Sequence, residues 1–320
     1  MNLTLQSIDH IYLLVFSYID LVFDMQKNFK YLDELIHGGA KEIVLTSDIV
    51  LGEDEESDYP EGINLDVDGL VIDGNGHSID ACSKTRIFYN TAKDVTIKNI
   101  ALKNAVVAIY NFYGVLSISD SELSDNTSNL AGAAIYNNWG ELNINDSVLS
   151  DNASGCHGGA IFNVNGTVNV KSSRFCNNSA KGDGGAIYSG AKLNIEDSEL
   201  SHNYAGGSGG AIYDNRGEIN IAESVLSDNE SKGIFGGGAI HKNRGNLDIV
   251  SSKLLNNWAK SDGGAIFSID GNVSITESEL SKNVSEACGG AICDGGTLNV
   301  ESSDFSDNSS KNGDEDIFTK

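Results

Sequence analysis

Proline is nearly absent from this chain of 320 residues, occurring once at Pro60. No stretch reaches the roughly 20 apolar residues that a bilayer-spanning helix needs, so no membrane span is expected. The most apolar segment, from Ile11 to Phe23, is interrupted by Asp20. It has no basic stretch ahead of it, carrying Asp9 and His10 instead. Residues 1–26 therefore stand apart with two open readings: translation that truly starts at Met25, or a poor export signal. Positive charge is scarce as well. Lys and Arg total 21 against 46 Asp and Glu, a formal charge of −25. Nucleic acid is excluded as a partner because phosphate binding needs a basic stripe. Anionic membrane surfaces are disfavoured for the same reason. Acidity of this kind keeps a long structure soluble; its sharper reading is weak Ca2+ binding, with no other cofactor expected. Five cysteines (Cys82, Cys156, Cys176, Cys288, Cys293) form no C-x-x-C pair and no zinc spacing. Cys288 and Cys293 are near enough to pair locally; the rest read as small half-buried fillers and fix no redox compartment.

What the chain has in abundance is a period. The apolar pairs Leu116/Ile118, Leu142/Ile144, Val168/Val170, Leu193/Ile195, Ile219/Ile221, Leu247/Ile249, Val273/Ile275 and Leu298/Val300 start 25, 26 or 28 residues apart. Counting from each first member, the fifth residue is Ser in all eight units and the seventh is Leu or Phe. The tenth is always Asn: Asn126, Asn152, Asn178, Asn203, Asn229, Asn257, Asn283 and Asn308. Gly-Gly-Ala-Ile precedes the pair at Gly158, Gly184, Gly209, Gly237, Gly263 and Gly289, with Gly132-Ala133-Ala134-Ile135 a near copy.

Each unit holds three short runs of alternating apolar residues, the period of strands, bounded by residues that turn a chain cheaply. A unit this short cannot bury an apolar face alone, but stacked copies can. The prediction is an all-β, right-handed parallel β-helix of about ten coils, in which equivalent residues lie about 4.8 Å apart in neighbouring coils. The recurrent Asn then forms a ladder of amides hydrogen-bonded coil to coil; Asn also suits a left-handed turn. The paired glycines imply a positive φ followed by close backbone packing. Earlier coils are degenerate: Val95/Ile97/Leu102/Asn104 has lost one position, Leu70/Ile72 opens another, and Ile43–Leu45 starts the first, followed by an acidic loop from Glu53 to Asp58. Residues 27–37 read as a short amphipathic helix capping the open end. The expected organisation is one β-helix domain over 27–312 and a tail over 313–320.

The phrase Gly-Gly-Ala-Ile followed by Phe/Leu-x-x-Asn resembles the repeat of chlamydial polymorphic outer-membrane proteins. Leu70-Val71-Ile72-Asp73-Gly74-Asn75-Gly76-His77-Ser78-Ile79-Asp80 resembles the opening of the β-helix in adhesin-like proteins of methanogenic archaea. The resemblance covers roughly residues 30–312 and is specific for fold more than for function. It implies a protein that is extracellular or on the cell surface, in contact with cells, glycans or other proteins; it sets no oligomeric state.

Parallel β-helices also host pectate lyases and polygalacturonases, so catalysis must be weighed. Polygalacturonases use clustered carboxylates with Asp-Asp and Gly-His-Gly motifs, and neither occurs here. Gly76-His77-Ser78 is the nearest, and His77 reads as structural. Asp66, Asp68 and Asp73 fall on one strand face without a partner for Ca2+. The expectation is a non-catalytic protein with no catalytic residue and no metal site. The alternatives are a polysaccharide-active enzyme with an unrecognised site and a vestigial repeat fragment. If Ile of Gly-Gly-Ala-Ile points inward, the next residue points out. That rule gives a candidate binding stripe of Tyr110, Tyr136, Phe162, Tyr188, Tyr213 and Phe267, with His241 and Cys293 in the same column. Its rival is an inverted register with the aromatics in the core, or stacking that merely stabilises the sheet. About ten Asn-x-Ser/Thr sequons, including Asn126, Asn152, Asn177, Asn229, Asn272, Asn283 and Asn308, suggest glycosylation on export, although a ladder Asn facing inward could not be modified.

Overall fold

A computed structural model describes residues 27–319; both readings of residues 1–26 lie outside the described residues. The described chain is a parallel β-solenoid of eleven turns, one more than the repeat count suggested. Each complete turn contributes to four parallel sheets rather than three. In one middle turn the strands are Val115–Ser119 (sheet I), Glu122–Ser124 (sheet II), Thr127–Ser128 (sheet III) and Ile135–Asn138 (sheet IV). Sheets I, II and IV have eleven strands each, and sheet III has eight. Equivalent residues are direct partners across coils: Leu200 pairs with Leu226, and Ile195 with Ile221.

Alternation accounts for the core. Leu116 and Ile118 in sheet I, Leu123 in sheet II and Ile135 in sheet IV point inward and are completely buried. Their copies in other coils form continuous aliphatic columns, so each turn supplies a slice of core that only its neighbours can close.

One-residue corners bend the chain between sheets. Asp120, Asp146, Asp197 and Glu223 take left-handed φ of 47–52° between sheets I and II. Asp125, Asp151, Asn177 and His202 do so between sheets II and III. The ladder Asn is therefore not itself left-handed, as its type suggested; the residue before it is. In the degenerate turn Asn104 occupies that corner (φ 51°) and Ala105 takes the ladder place, its amide donating to Asn126 Oδ1. The glycine pair behaves as expected. Gly158 has φ of 60°, and a Cβ on Gly159 would lie 2.1 Å from the Gly185 carbonyl oxygen.

The Asn ladder forms throughout. Asn152 Nδ2 donates to Asn178 Oδ1 (3.0 Å), Asn178 to Asn203 (3.1 Å) and Asn203 to Asn229 (3.0 Å). Each Oδ1 also accepts the backbone N–H of the residue below it (Ala105 for Asn126, Asn for the rest), and each Nδ2 also donates to a Leu or Phe carbonyl of the preceding turn. Every polar atom of these enclosed amides is thus satisfied, the condition for burying them. The invariant Ser has a parallel role. Ser147 Oγ donates to the Asn145 carbonyl and accepts from Ser121 N–H.

The N-terminal cap is helix α1, Phe29–His37. Asn28 Oδ1 accepts from Tyr31 N–H, and the Glu55 carboxylate accepts from the N–H groups of Phe29, Lys30 and Gly52. Helix N-termini favour such an anion. Phe29, Leu32 and Ile36 close the first rung. At the other end Ile317–Thr319 adds a strand to sheet IV beside Ile292–Asp294, and Asn308 Nδ2 ends its ladder on Asp316. No helix among the described residues is long and apolar enough to cross a membrane.

Candidate functional site

Sheet IV carries the aromatic column. Its inward residue is Ile, so the next side chain faces outward, and the structure brings all six predicted residues into one line. Centroids run Tyr110–Tyr136 4.7 Å, Tyr136–Phe162 5.1 Å, Phe162–Tyr188 4.8 Å and Tyr188–Tyr213 5.1 Å. His241 continues the line at 4.6 Å from Tyr213, and Phe267 follows at 5.2 Å. Tyr89, which the Gly-Gly-Ala-Ile pattern did not reveal, extends it below Tyr110 at 5.3 Å.

Presentation to solvent is uneven, and here the structure corrects the expectation of an open stripe. The rings from Tyr89 to Tyr213 are half-buried. His241, Phe267 and Cys293 are buried, at 0, 4 and 0 % exposed. The turn between Asn229 and Gly237 is two residues longer than that between Asn203 and Gly209, and its Phe235 ring lies 6.1 Å from His241. Burial pushes the His241 imidazole down to about 4. It raises the phenols of Tyr136 and Tyr188 and moves Tyr213 up to about 12, so these hydroxyls stay protonated. Most neighbouring rings stack and the others tilt against one another, which covers much of their face area. The column presents ring edges and hydroxyls; Tyr110 Oη, for instance, accepts from Asn138 Nδ2 at 3.2 Å.

Open aromatic area lies elsewhere. Tyr113 and Trp139, 58 and 55 % exposed, follow sheet IV strands in successive turns. Their rings are parallel within 6° at 6.1 Å, and Phe112 packs its ring against Tyr113 at 4.6 Å. Neither was legible as a site because they occur in only two turns.

Inside sheet IV runs a second polar ladder, also missed. Asn90 donates to Asn111 (2.8 Å), Asn111 to Asn137 (2.8 Å) and Asn137 to Asn163 (2.9 Å). The signal was Ile-x-Asn, or Phe-x-Asn at Phe88, in four consecutive turns. Ser189 follows, and then the amides give way to Asp214 and Lys242, a fully enclosed ion pair. Burial pushes the Asp214 carboxyl up to about 6 and the Lys242 ammonium down.

The residues weighed for catalysis or metal binding are engaged elsewhere. Asp73 accepts from Asn75 N–H and Asn99 Nδ2, contacts that hold its carboxyl below the usual carboxylate range. Asp68 accepts from Lys93 N–H, and Asp66 lies 3.2 Å from His37. His77 is 3.5 Å from Asp48. Among the described residues no group of three or more His, Cys, Asp or Glu could hold a metal ion. No disulfide joins Cys288 to Cys293 or any other pair of the described cysteines, and Cys82 and Cys156 are exposed rather than half-buried. A groove of about 730 Å³ follows the corners between sheets I and II, lined by Asp73, Asn99, Asp120, Glu122 and Asp146. Asp73 in this groove is shifted down, the wrong way for a general acid.

Residues 31–146 match the family described as "Putative pectate lyase-like adhesive domain", and residues 172–190 match the Chlamydia polymorphic membrane protein repeat. No curated protein and no solved structure matches the chain. The first match contains Tyr89, Tyr110, Tyr136, Tyr113 and Trp139; the second ends two residues beyond Tyr188.

Proposed function

We propose that this chain is an adhesin-like, non-catalytic surface protein that contacts cells or glycans through the outer side of sheet IV and its adjoining turns. The observation that carries the reading is a coincidence of location. The span matched to an adhesive-domain family, 31–146, holds the exposed aromatic pair and the accessible start of the ring column. Exposed aromatic clusters on soluble proteins mark interaction sites. A rigid solenoid holds such a face in register because each coil is bonded to the next through backbone and amide ladders. The adhesive-domain and membrane-protein-repeat descriptions of the two matched families support a cell-surface setting for this reading.

The test is retention of beads coated with the full chain on microbial and host-cell lawns and on a glycan array, against beads coated with an unrelated acidic protein. Retention above that control on at least one surface is expected. Equal retention on every surface removes the adhesin reading. Within the column, Tyr188→Ser with Tyr213→Ser separates its two roles: lost retention in a folded variant makes the column part of the contact, while lost stability with retention intact makes it a strut.

A further inference from the structure

We propose that Trp139, supported by Tyr113, is a stacking platform for a neutral pyranose ring; this deepens the adhesin reading and rests on it. Trp139 touches one other ring among the described residues, Tyr113, and more than half of its surface is in solvent. Tyr113 therefore supports the indole on one side, while much of the ring stays accessible. The C–H face of a sugar carries partial positive charge and suits the negative face of an indole.

Backbone strain is the independent observation. Trp139 and Tyr113 have φ of 61° and 57°, in the left-handed region that large side chains avoid. Elsewhere among the described residues that region is occupied by Gly, Asn, Asp, Ser, Glu, Cys, His or Lys. A ring held outward at a conformational cost points to a use outside the fold. The position is also rigid. Asn111 Nδ2 donates to the Gly114 carbonyl and Asn137 Nδ2 to that of Gly140, so buried amides tie down the residue after each ring.

The rim selects the ligand class. Asn138 precedes the indole, and Glu141 and Asn143 follow it, joined by a 3.2 Å hydrogen bond. One turn further, Asn163 pairs with Asn137 and Val164 N–H donates to the Asn137 carbonyl, which carries exposed Asn165 to the place corresponding to Trp139. Amides and a carboxylate flank the indole along the chain and in the next turn, and offer hydrogen bonds to sugar hydroxyls. With Glu141 at the rim and a formal charge of −25, a carboxylated sugar is repelled and a neutral one is not.

The chain has two tryptophans, so Trp258→Phe leaves Trp139 as the sole indole reporter. Its emission is titrated with cellohexaose, N-acetylchitohexaose and hexagalacturonate, beside the bead assay. A saturable change with a neutral hexamer and none with hexagalacturonate is expected. Trp139→Ala and Trp139→Gly should weaken retention on that immobilised hexamer by about tenfold or more, a loss of about 1.4 kcal/mol. Trp139→Gly should do so with an unchanged or raised Tm, because glycine relieves the left-handed strain; Tyr113→Phe should bind like the parent. Undiminished binding by Trp139→Ala overturns the platform and leaves the adhesin reading standing. Bead retention on cells without any hexamer binding overturns the sugar assignment alone, and preference for hexagalacturonate overturns neutrality. Absence of both kinds of binding removes platform and adhesin reading together.

Discussion

Lys242 Nζ lies 2.5 Å from Asp214 Oδ2, one turn away, and both side chains are sealed from solvent inside the solenoid. The ammonium also donates to the Gly217 carbonyl, and the carboxylate accepts from Gly217 N–H. Two charges stand where earlier turns place Asn, and their desolvation offsets most of their attraction. Removing one partner strands the other, so Lys242→Met should destabilise by about 3–5 kcal/mol. Asp214→Asn with Lys242→Asn continues the amide ladder and should match or exceed the parent. Urea unfolding of the three proteins checks this; a double variant as weak as Lys242→Met would show that the charges themselves are needed.

His241 makes stability depend on pH. The ring is sealed from solvent with the Gly236 backbone as its one polar contact, and burial takes the folded imidazole to about 4 against 6.5 for a free one. Between those values the unfolded chain binds the extra proton, so this contribution is present above about 6.5 and is lost as pH falls toward 4. Its full size is at most about 3 kcal/mol. Asp214, raised from 3.8 to about 6, acts in the opposite sense: its contribution is present below about 4 and is lost as pH rises through 6. The His241 effect is therefore read as the difference between the parent and His241→Phe. That difference should shrink or reverse on going from pH 7 to pH 4.5, and a pH-independent difference would contradict the assignment.

The Asn203 side chain makes four ladder contacts, two as acceptor and two as donor. Asn203→Ala orphans buried groups on both sides and should cost about 2–4 kcal/mol. Asn203→Asp keeps the acceptors but cannot donate to Asn229 Oδ1 or the Phe175 carbonyl, so it should also destabilise. Chemical denaturation measures both; a change within about 0.5 kcal/mol, as for an ordinary surface position, would show the ladder to be dispensable at that rung.

The sequons divide by burial. Asn126, Asn152, Asn229, Asn283 and Asn308 are ladder residues, at most 5 % exposed, whereas Asn177 and Asn272 face solvent. Secretion of the chain from a host with N-glycosylation should place glycans on Asn177 or Asn272 and on none of the five ladder residues. Peptide mass spectrometry reads this, and a glycan on Asn203's neighbour Asn229 would mean that the ladder is not formed when the chain is modified.

The repeat made most of the fold legible before any coordinates. Leu200 and Leu226 pair, and Asn203 reaches Asn229, because a fixed period leaves stacked coils as the means of burying both sets. Sheet III was hidden because Thr127–Ser128 and Tyr204–Ala205 are too short to display alternation. The second ladder was masked by its own change of chemistry from Asn163 to Ser189, Asp214 and Lys242. At the candidate site, alternation placed the column on the correct side of sheet IV. It could not report that neighbouring rings cover much of one another's faces, nor that the Phe235 ring of a lengthened turn lies 6.1 Å from His241. Trp139 and Tyr113 stayed out of view because a left-handed corner is expected to hold Asn or Gly.

Binding without chemistry is the core of the functional account, and one experiment addresses both halves. The full chain is incubated with insoluble neutral polysaccharide and, separately, with polygalacturonate, and the bound fraction is measured together with new reducing ends and unsaturated products. The account predicts protein retained on neutral polymer and no product from either. Product formation from either polymer, with or without retention, would contradict it.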